Sequence, residues 1–359
     1  MFLKSLYLKN FRNYEEAFVE FSPNLNFIYG DNAEGKTNLL EALFLISSGK
    51  SFRTTKLSEL IRSGADAFIL AAEIKKQGVL QTLEIHCNGI EKYLTLNATS
   101  YRSFTPLLGL LPHVLFIPEA IQFIQGPPVE RRRFLDFHLA QSDPLYVHHF
   151  LRFAKAMKQR NQLLRCKDIT SIQSWEHIIA YSAAYLVSER KKAIEDLRPK
   201  VQESLHQLSQ SKETLQILYK PSLTLPEKID DLADRIQYRL ERLREKEIAL
   251  GYTLTGPHRD DIGLLLQGKE VRDFASEGQK RSCLVALRLA EWKRLHYLTD
   301  VSPLLSIDDF SSHLDATRQS FLEQQMNTLS QVFITSPYAP TNKMAELAGK
   351  VLHVSSGCL

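Results

Sequence analysis

Leu25-Asn26-Phe27-Ile28-Tyr29-Gly30-Asp31-Asn32-Ala33-Glu34-Gly35-Lys36-Thr37 is the stretch on which the fold turns. Its first five residues read as a short strand that stops at Gly30. Gly30 to Thr37 fits the pattern GxxxxGK[ST]. From Lys36 to about Ser47, Leu39, Leu40, Leu43 and Phe44 fall on one helical face. A glycine-bounded turn between strand and helix aims backbone N–H groups inward, and the helix start adds partial positive charge. Gly30, Asp31, Asn32, Ala33, Glu34 and Gly35 are therefore expected to cradle the phosphates of ATP. Lys36 is expected at the β- and γ-phosphates and on the catalytic path, and Thr37 on Mg²⁺.

A phosphate loop needs a carboxylate at the far side of the metal. Pro303-Leu304-Leu305-Ser306-Ile307-Asp308-Asp309 supplies one at the end of an apolar strand. Asp308 is the metal-side residue by position, and Asp309 is placed to polarise the attacking water. Two adjacent carboxylates repel one another, and a Mg²⁺-bound nucleotide would offset that cost.

Ser276-Glu277-Gly278-Gln279 forms a third element, 240 residues after Lys36, just before a helix expected over Gln279–Leu298. It is either an ordinary N-cap by Ser276 or a second anion site. One γ-phosphate does not need two helix starts from one chain. In the second reading Ser276, Gly278 and Gln279 close over nucleotide held by another copy, at a symmetric interface.

Around these motifs the chain divides by composition. Residues 1–128 alternate short strands with the phosphate loop. In 129–250 glycine disappears, and Ile229, Leu232, Ile236, Leu240 and Leu243 recur at spacings of three and four. This stretch reads as a helical lobe, with Pro199, Pro221 and Pro226 separating helices. Residues 251–359 return to strand and helix, with Asp261–Leu266 a strand, Gly268-Lys269 a hairpin turn and Asp315–Leu329 a helix. The class is α/β. With 359 residues, 44% of them hydrophobic, the chain can bury a large core in one or two domains. No transmembrane helix is expected from its apolar runs, and its opening residues are not expected to act as a secretion signal. Cys87, Cys166, Cys283 and Cys358 are scattered without CxxC spacing, which suits a reducing cytoplasm rather than zinc or a disulfide framework.

Residues 131–200 hold 14 Lys+Arg and 7 Asp+Glu, a local charge of +7 against +4 for the whole chain. Such a segment suits a polyanion partner, or else forms solvated helix faces. The candidate phosphate contacts are Arg131, Arg132, Arg133, Arg152, Lys155, Lys158, Arg160, Arg190, Lys191 and Lys192. They would bind without reading bases, and salt would weaken them. His258-Arg259-Asp260-Asp261 has no nucleophile or metal partner in the sequence and reads as a salt-bridged turn.

The motifs, in this order, resemble the ATP-binding-cassette ATPases, and within them the branch that maintains chromosomes and repairs DNA breaks. The nearest resemblance is to the RecF family. It rests on Leu8-Lys9-Asn10-Phe11-Arg12-Asn13-Tyr14, on Gly30–Thr37 followed by Asn38-Leu39-Leu40-Glu41-Ala42, and on Gly126–Asp136. Thr255-Gly256-Pro257-His258-Arg259-Asp260-Asp261 and Ser311-Ser312-His313-Leu314-Asp315 extend it nearly end to end. The resemblance implies an SMC-like ATPase head of mixed sheets and helices with an inserted helical lobe. It implies an ATP-bound dimer that clamps DNA in recombinational repair, replication restart and SOS induction. The DNA would be single-stranded or a junction of single and double strands, and recombinase-loading proteins are implied partners. It places Arg12 and Asn13 near the nucleotide, Ser276 and Gly278 on the γ-phosphate across the dimer, and Ser311–Asp315 at the dimer face. Asp309 stands where most cassette ATPases use glutamate, which implies slow hydrolysis. Pro118-Glu119-Ala120-Ile121, opening the loop that runs to Gln122, lacks the acidic residue expected after Glu119. A transporter nucleotide-binding subunit would need a switch histidine after the last strand, where Thr335-Ser336 stands, and a shorter gap from Lys36 to Ser276. An ATP-gated clamp without useful turnover remains the other alternative.

Overall fold

The computed structural model describes residues 1–209, 213–224, 229–310, 316–326 and 328–359. They form two compact units, one of Met1–Ala120 with Glu291–Leu359 and one of Ile121–Ala290.

The first unit holds two sheets. The outer strands β1 (Phe2–Phe11), β2 (Tyr14–Glu20), β4 (Phe68–Lys76), β5 (Val79–Cys87), β6 (Lys92–Leu96) and β7 (Thr99–Tyr101) pair antiparallel in the order β2-β1-β4-β5-β6-β7. In β4 the residues Phe68, Leu70, Ala72 and Ile74 alternate inward, the period-two pattern of a sheet buried on one face. The strand read at Leu6–Leu8 is longer than the sequence suggested, because β1 pairs with a neighbour on each side.

The second sheet is parallel. β3 (Leu25–Tyr29), β8 (His113–Phe116), β12 (Leu304–Ile307), β13 (Val332–Ser336) and β14 (Ala348–His353) lie in the order β14-β3-β13-β12-β8. β8, β12 and β13 are buried along their whole length, as strands covered on both faces must be. Helix α1 (Lys36–Ser48) packs Leu39, Leu40 and Leu43 into this core. It stops at Gly49, whose left-handed φ of 70° turns its N–H back to Leu45 O. A Cβ there would meet Phe104 Cβ at 2.4 Å.

In the second unit α2 (Pro128–Ala140), α3 (Pro144–Cys166), α4 (Ile172–Ser209) and α5 (Ile229–Leu250) accompany a three-stranded sheet. Its strands β9 (Leu215–Lys220), β10 (Asp261–Leu266) and β11 (Lys269–Glu270) run in the order β11-β10-β9, with the hairpin turn at Gln267-Gly268. The stretch 129–250 is therefore not purely helical. β9 is held by six paired positions to β10, a partner about forty residues on.

Pro199 was expected to break a helix but lies inside α4. Buried Ile194, Leu197, Val201 and Leu205 continue one apolar stripe past it, and Pro199 itself is exposed, so its ring and the freed carbonyl face solvent. Pro221 follows β9, and Pro226 lies outside the described residues. α6 (Glu277–Thr299) leads into the first unit, where α7 (Ala316–Met326) and α8 (Asn342–Leu347) complete it. No described helix is long and apolar enough to cross a membrane.

Candidate functional site

In the parallel sheet Thr335 pairs with Ile28, Ser336 with Tyr29, and Ile307 with Ile334. The C-terminal ends of β3, β13 and β12 therefore share one edge, where ligands of open parallel sheets bind. β3 delivers the phosphate loop there and β12 delivers Asp308 and Asp309.

The loop is held open by its backbone. Gly30, Ala33 and Gly35 have φ of 152°, 70° and 122°. A Cβ at Gly30 would meet Val354 O at 2.1 Å, and one at Gly35 would meet Asn13 Nδ2 at 2.7 Å, so both positions require glycine. Lys36 is buried and donates to Gly30 O and Asp31 O at 2.7 Å each. Its ammonium is thus curled over the inside of the loop. Asp31, Asn32 and Ala33 are exposed, and Glu34 is half-buried.

Arg12 and Asn13 sit behind this loop. Asn13 Nδ2 donates to Glu34 O at 2.8 Å, and its Oδ1 accepts from Asn38 Nδ2 at 2.8 Å. Arg12, with φ of 54°, makes a two-point pair with the fully buried Glu41 at 2.8 Å per bond. Tyr14 donates to Gly35 O at 3.0 Å, and burial pushes its hydroxyl far above the usual tyrosine range. The last residues also grip the loop: Gly357 N–H donates to Glu34 O at 3.0 Å and Ser356 N–H to the Glu34 carboxylate. Nothing local in the sequence announces Glu41, Tyr14 or Ser356, because each acts across a long separation.

The Thr37 hydroxyl lies 3.0 and 3.1 Å from the two carboxylate oxygens of Asp308. Thr335, on the strand between, donates to Asp308 Oδ1 at 2.6 Å and accepts the Asp309 N–H at 2.8 Å. It is a further site residue, which the sequence offered only as the place where a switch histidine is missing. Burial raises the Asp308 carboxyl above the ordinary carboxylate range; the Thr335 and Thr37 hydroxyls oppose this, and Asp309 and Glu119 add to it. A hydroxyl and a carboxylate side by side, next to a lysine whose ammonium, among the described residues, meets loop carbonyls, suit a nucleotide carrying a hard divalent cation. Asp309 is half-buried with φ of 51°.

His113 braces this edge from beneath. Its Nδ1 meets Ser47 Oγ at 2.9 Å on α1, and its Nε2 meets Ser306 Oγ at 2.8 Å on β12. One donor and one acceptor of a neutral imidazole satisfy both hydroxyls. Full burial lowers its pKa from 6.5 to about 3. A depressed folded-state pKa means that stability present above 6.5 is lost as pH falls toward about 3. Denaturation measured across that window should show stability falling with acid, and His113→Gln should flatten the slope. An unchanged slope in the variant would assign the acid sensitivity elsewhere.

Ser276, Gly278 and Gln279 belong to the second unit. Ser276 Oγ accepts the Gln279 N–H at 3.2 Å, and Gln279 Oε1 accepts the Ser276 N–H at 3.0 Å, a reciprocal capping box at the start of α6. Ser276 is exposed while it caps. Ser311–Asp315 lies outside the described residues.

Three of the candidate phosphate contacts are corrected. Arg131 is buried and makes a two-point pair with Asp261 at 2.7 and 3.0 Å. Arg190 is buried between Asp136, at 2.7 Å, and Asp260, at 3.3 Å. Arg160 is fully enclosed with Glu176 and Glu247. Helix packing points these guanidinium groups inward, where a polyanion cannot reach them. Arg132 is half-buried and donates to Asp260 O. Arg133, Lys191 and Lys192 are exposed and pair with Glu130, Glu195 and Glu189. Arg152, Lys155 and Lys158 are exposed. Asp260 also accepts from Tyr219 and from the Ser222 N–H, so His258–Asp261 is a salt-bridged turn.

The whole chain, residues 2–359, matches the family described as the RecF/RecN/SMC N-terminal domain. It is 43% identical over 337 residues to the DNA replication and repair protein RecF of Protochlamydia amoebophila (strain UWE25), covering 94% of each. It is 38% identical to the protein of the same name from Chlamydia caviae, covering 96% of this chain and 94% of that one. Two solved structures, of the recombination mediator protein RecF in the RecFOR pathway with ATPrS and with ATP, superpose with TM-scores of 0.89 and 0.91 at 29% and 28% identity. They cover 99% of this chain, and this chain covers 97% and 96% of theirs. An Smc head bound to the C-winged helix domain of ScpA, 16% identical with a TM-score of 0.58, shares the fold. With a family model over its length and RecF relatives at this identity, the chain belongs to the RecF branch of the RecF/RecN/SMC N-terminal-domain family.

Proposed function

We propose that this chain is an ATPase head that binds ATP with Mg²⁺, dimerises around it, binds DNA independently of sequence, and turns over slowly. The observation that carries the reading is the convergence of Lys36, Thr37 and Asp308 at the ends of β3 and β12. The ATP-bound RecF structures, nearly coextensive with this chain, support the nucleotide.

In this reading the backbone N–H groups of residues 31–37 face the phosphates, and Lys36 exchanges its loop carbonyls for the β- and γ-phosphate oxygens. Thr37 and Asp308 would hold Mg²⁺, and the ion would supply positive charge against the phosphates. Asp309 takes a proton from a water that adds to the γ-phosphorus as the bond to the bridging oxygen breaks, leaving ADP and phosphate. Its carboxylate is one methylene shorter than a glutamate's, which supports slow turnover. Ser276, Gly278 and Gln279 serve the nucleotide of a second copy. The relatives' names, a DNA replication and repair protein and a recombination mediator of the RecFOR pathway, support DNA repair as the setting and other proteins of that pathway as partners; the cytoplasm is the proposed place.

Light scattering with and without Mg-ATP tests the assembly. The wild-type mass should double with ATP, and Ser276→Arg should bind ATP yet stay monomeric. Doubling in the variant would remove Ser276 from the interface. No doubling in wild type with ATP bound would remove the dimer itself.

A further inference from the structure

Helix α5 carries a cationic face that the charge count of the sequence passed over. Arg235, Arg239 and Arg242 recur at spacings of four and three, so they share one stripe, with Tyr238 beside them. All four are exposed, Tyr238 at 65%. None of the three arginines makes an ion pair or hydrogen bond with a described residue. Their neighbour Arg244, by contrast, is held by Glu176 at 2.5 Å. Asp234, Glu241 and Glu245 fall on the adjacent stripe, and Asp231 stands a turn before Arg235.

The stripe lines a groove of about 440 Å³ together with Leu223, Thr224 and Leu243. Three guanidinium groups without a partner among the described residues, an exposed phenol ring and two leucines in the lining form a specific combination. Guanidinium forks match phosphate oxygens two at a time. They rise along the helix by about 6 Å and then about 4.5 Å, a ladder for successive phosphates of an extended strand. An aromatic face stacks bases of any identity, provided those bases are unstacked from their neighbours. A duplex hides its base faces, and the carboxylate side chains of an acidic peptide would engage the guanidinium groups but not the face of Tyr238.

We propose that this groove binds the backbone and one base of a single nucleic-acid strand. The proposal deepens the DNA-binding reading above and rests on it. It moves the contact from residues 131–192, where three of the arginines are internal, to α5.

The test is fluorescence anisotropy on the full chain with Mg-ATP, using labelled oligo-thymidylate of about 15 nucleotides and the matching duplex, with polyglutamate as competitor. Replacing Arg235, Arg239 and Arg242 together by alanine should weaken single-strand binding at least tenfold. It should also reduce the log–log salt slope by about 2. Tyr238→Ala should weaken single-strand binding about tenfold, and Tyr238→Phe should not. Duplex binding should change less. Alanine favours the helix, and Arg239→Glu alone gives a second variant should the triple one unfold. Wild-type-like binding by these variants would overturn the groove while leaving the DNA-binding reading intact. Absence of any nucleic-acid binding by wild type would overturn both. An arginine effect matched by strong polyglutamate competition, with Tyr238→Ala silent, would replace the strand by an acidic protein partner.

Discussion

Lys36→Ala folds normally, binds Mg-ATP on the order of a hundredfold more weakly, and no longer doubles its mass with ATP. The expectation follows from how the side chain is held. Its ammonium is buried, and its hydrogen bonds go to Gly30 O and Asp31 O, both within the loop it must serve. The lysine satisfies the loop's own carbonyls, and in the proposed reading the same donors would meet phosphate oxygens. Alanine removes a charge-assisted partner worth roughly 3 kcal/mol. The rest of the cradle, held by Asn13, Tyr14 and the Gly357 N–H, stays in place. Calorimetric titration with Mg-ATP checks the affinity, and melting curves check the fold. An affinity within a few-fold of wild type would take Lys36, and with it the loop assignment, out of the nucleotide site.

Arg160→Ala should produce the largest loss of stability, about 3–5 kcal/mol, read as a lower urea midpoint. Arg160 is 0% exposed, as are Glu176 and Glu247. Its Nη2 lies 2.8 Å from Glu176 Oε1 and 2.7 Å from Glu247 Oε2, and its Nη1 donates to Thr253 Oγ1 at 2.8 Å. The Glu247 contact lies off the N–H directions, so it is an ion pair rather than a hydrogen bond. Removing the guanidinium leaves Glu176 paired with Arg244 and Glu247 accepting the Leu254 N–H, among the described residues. Both carboxylates remain enclosed, Glu247 loses its ion pair, and a desolvated charge without one is the costly case. Arg160→Met combined with Glu176→Gln and Glu247→Gln should recover much of the loss, because the uncompensated charges go with the arginine. If Arg160→Ala cost less than about 1 kcal/mol, the triad would be hydrated in solution and would contribute little to the fold.

The two cases differ in how far the sequence alone anticipated them. Lys36 was legible because its partners are local. The strand, the two glycines, the lysine and the helix that follows lie within twenty-four residues, from Leu25 to Ser48, and glycine at positive φ leaves its mark in the residue type itself. Asp308 and Asp309 were legible for a similar reason, since an apolar strand ending in carboxylates stands out along the chain. The capping box at Ser276 is also local, and it serves α6 in the single chain. What the same residues do for a second copy is a matter of assembly.

Arg160 shows the other side. A basic residue in a basic segment looks available to a polyanion, and so do Arg131 and Arg190. Only the packing of α2, α3, α4 and β10 decides that these three point inward, onto carboxylates up to 130 residues away. The same packing leaves Arg235, Arg239 and Arg242 outside, although their stretch of sequence is nearly neutral. Pro199 inside α4 and β9 within a helical-looking stretch have the same cause: burial and strand pairing outweigh local preference. By itself, then, the sequence determined the glycine-bounded loop before α1, the carboxylates at the end of β12 and the α/β class, because each depends on short-range backbone geometry or periodicity. Tertiary structure decided which charges are internal, which residues brace the loop from behind, and where free cationic surface remains, because burial is set by contacts far apart along the chain.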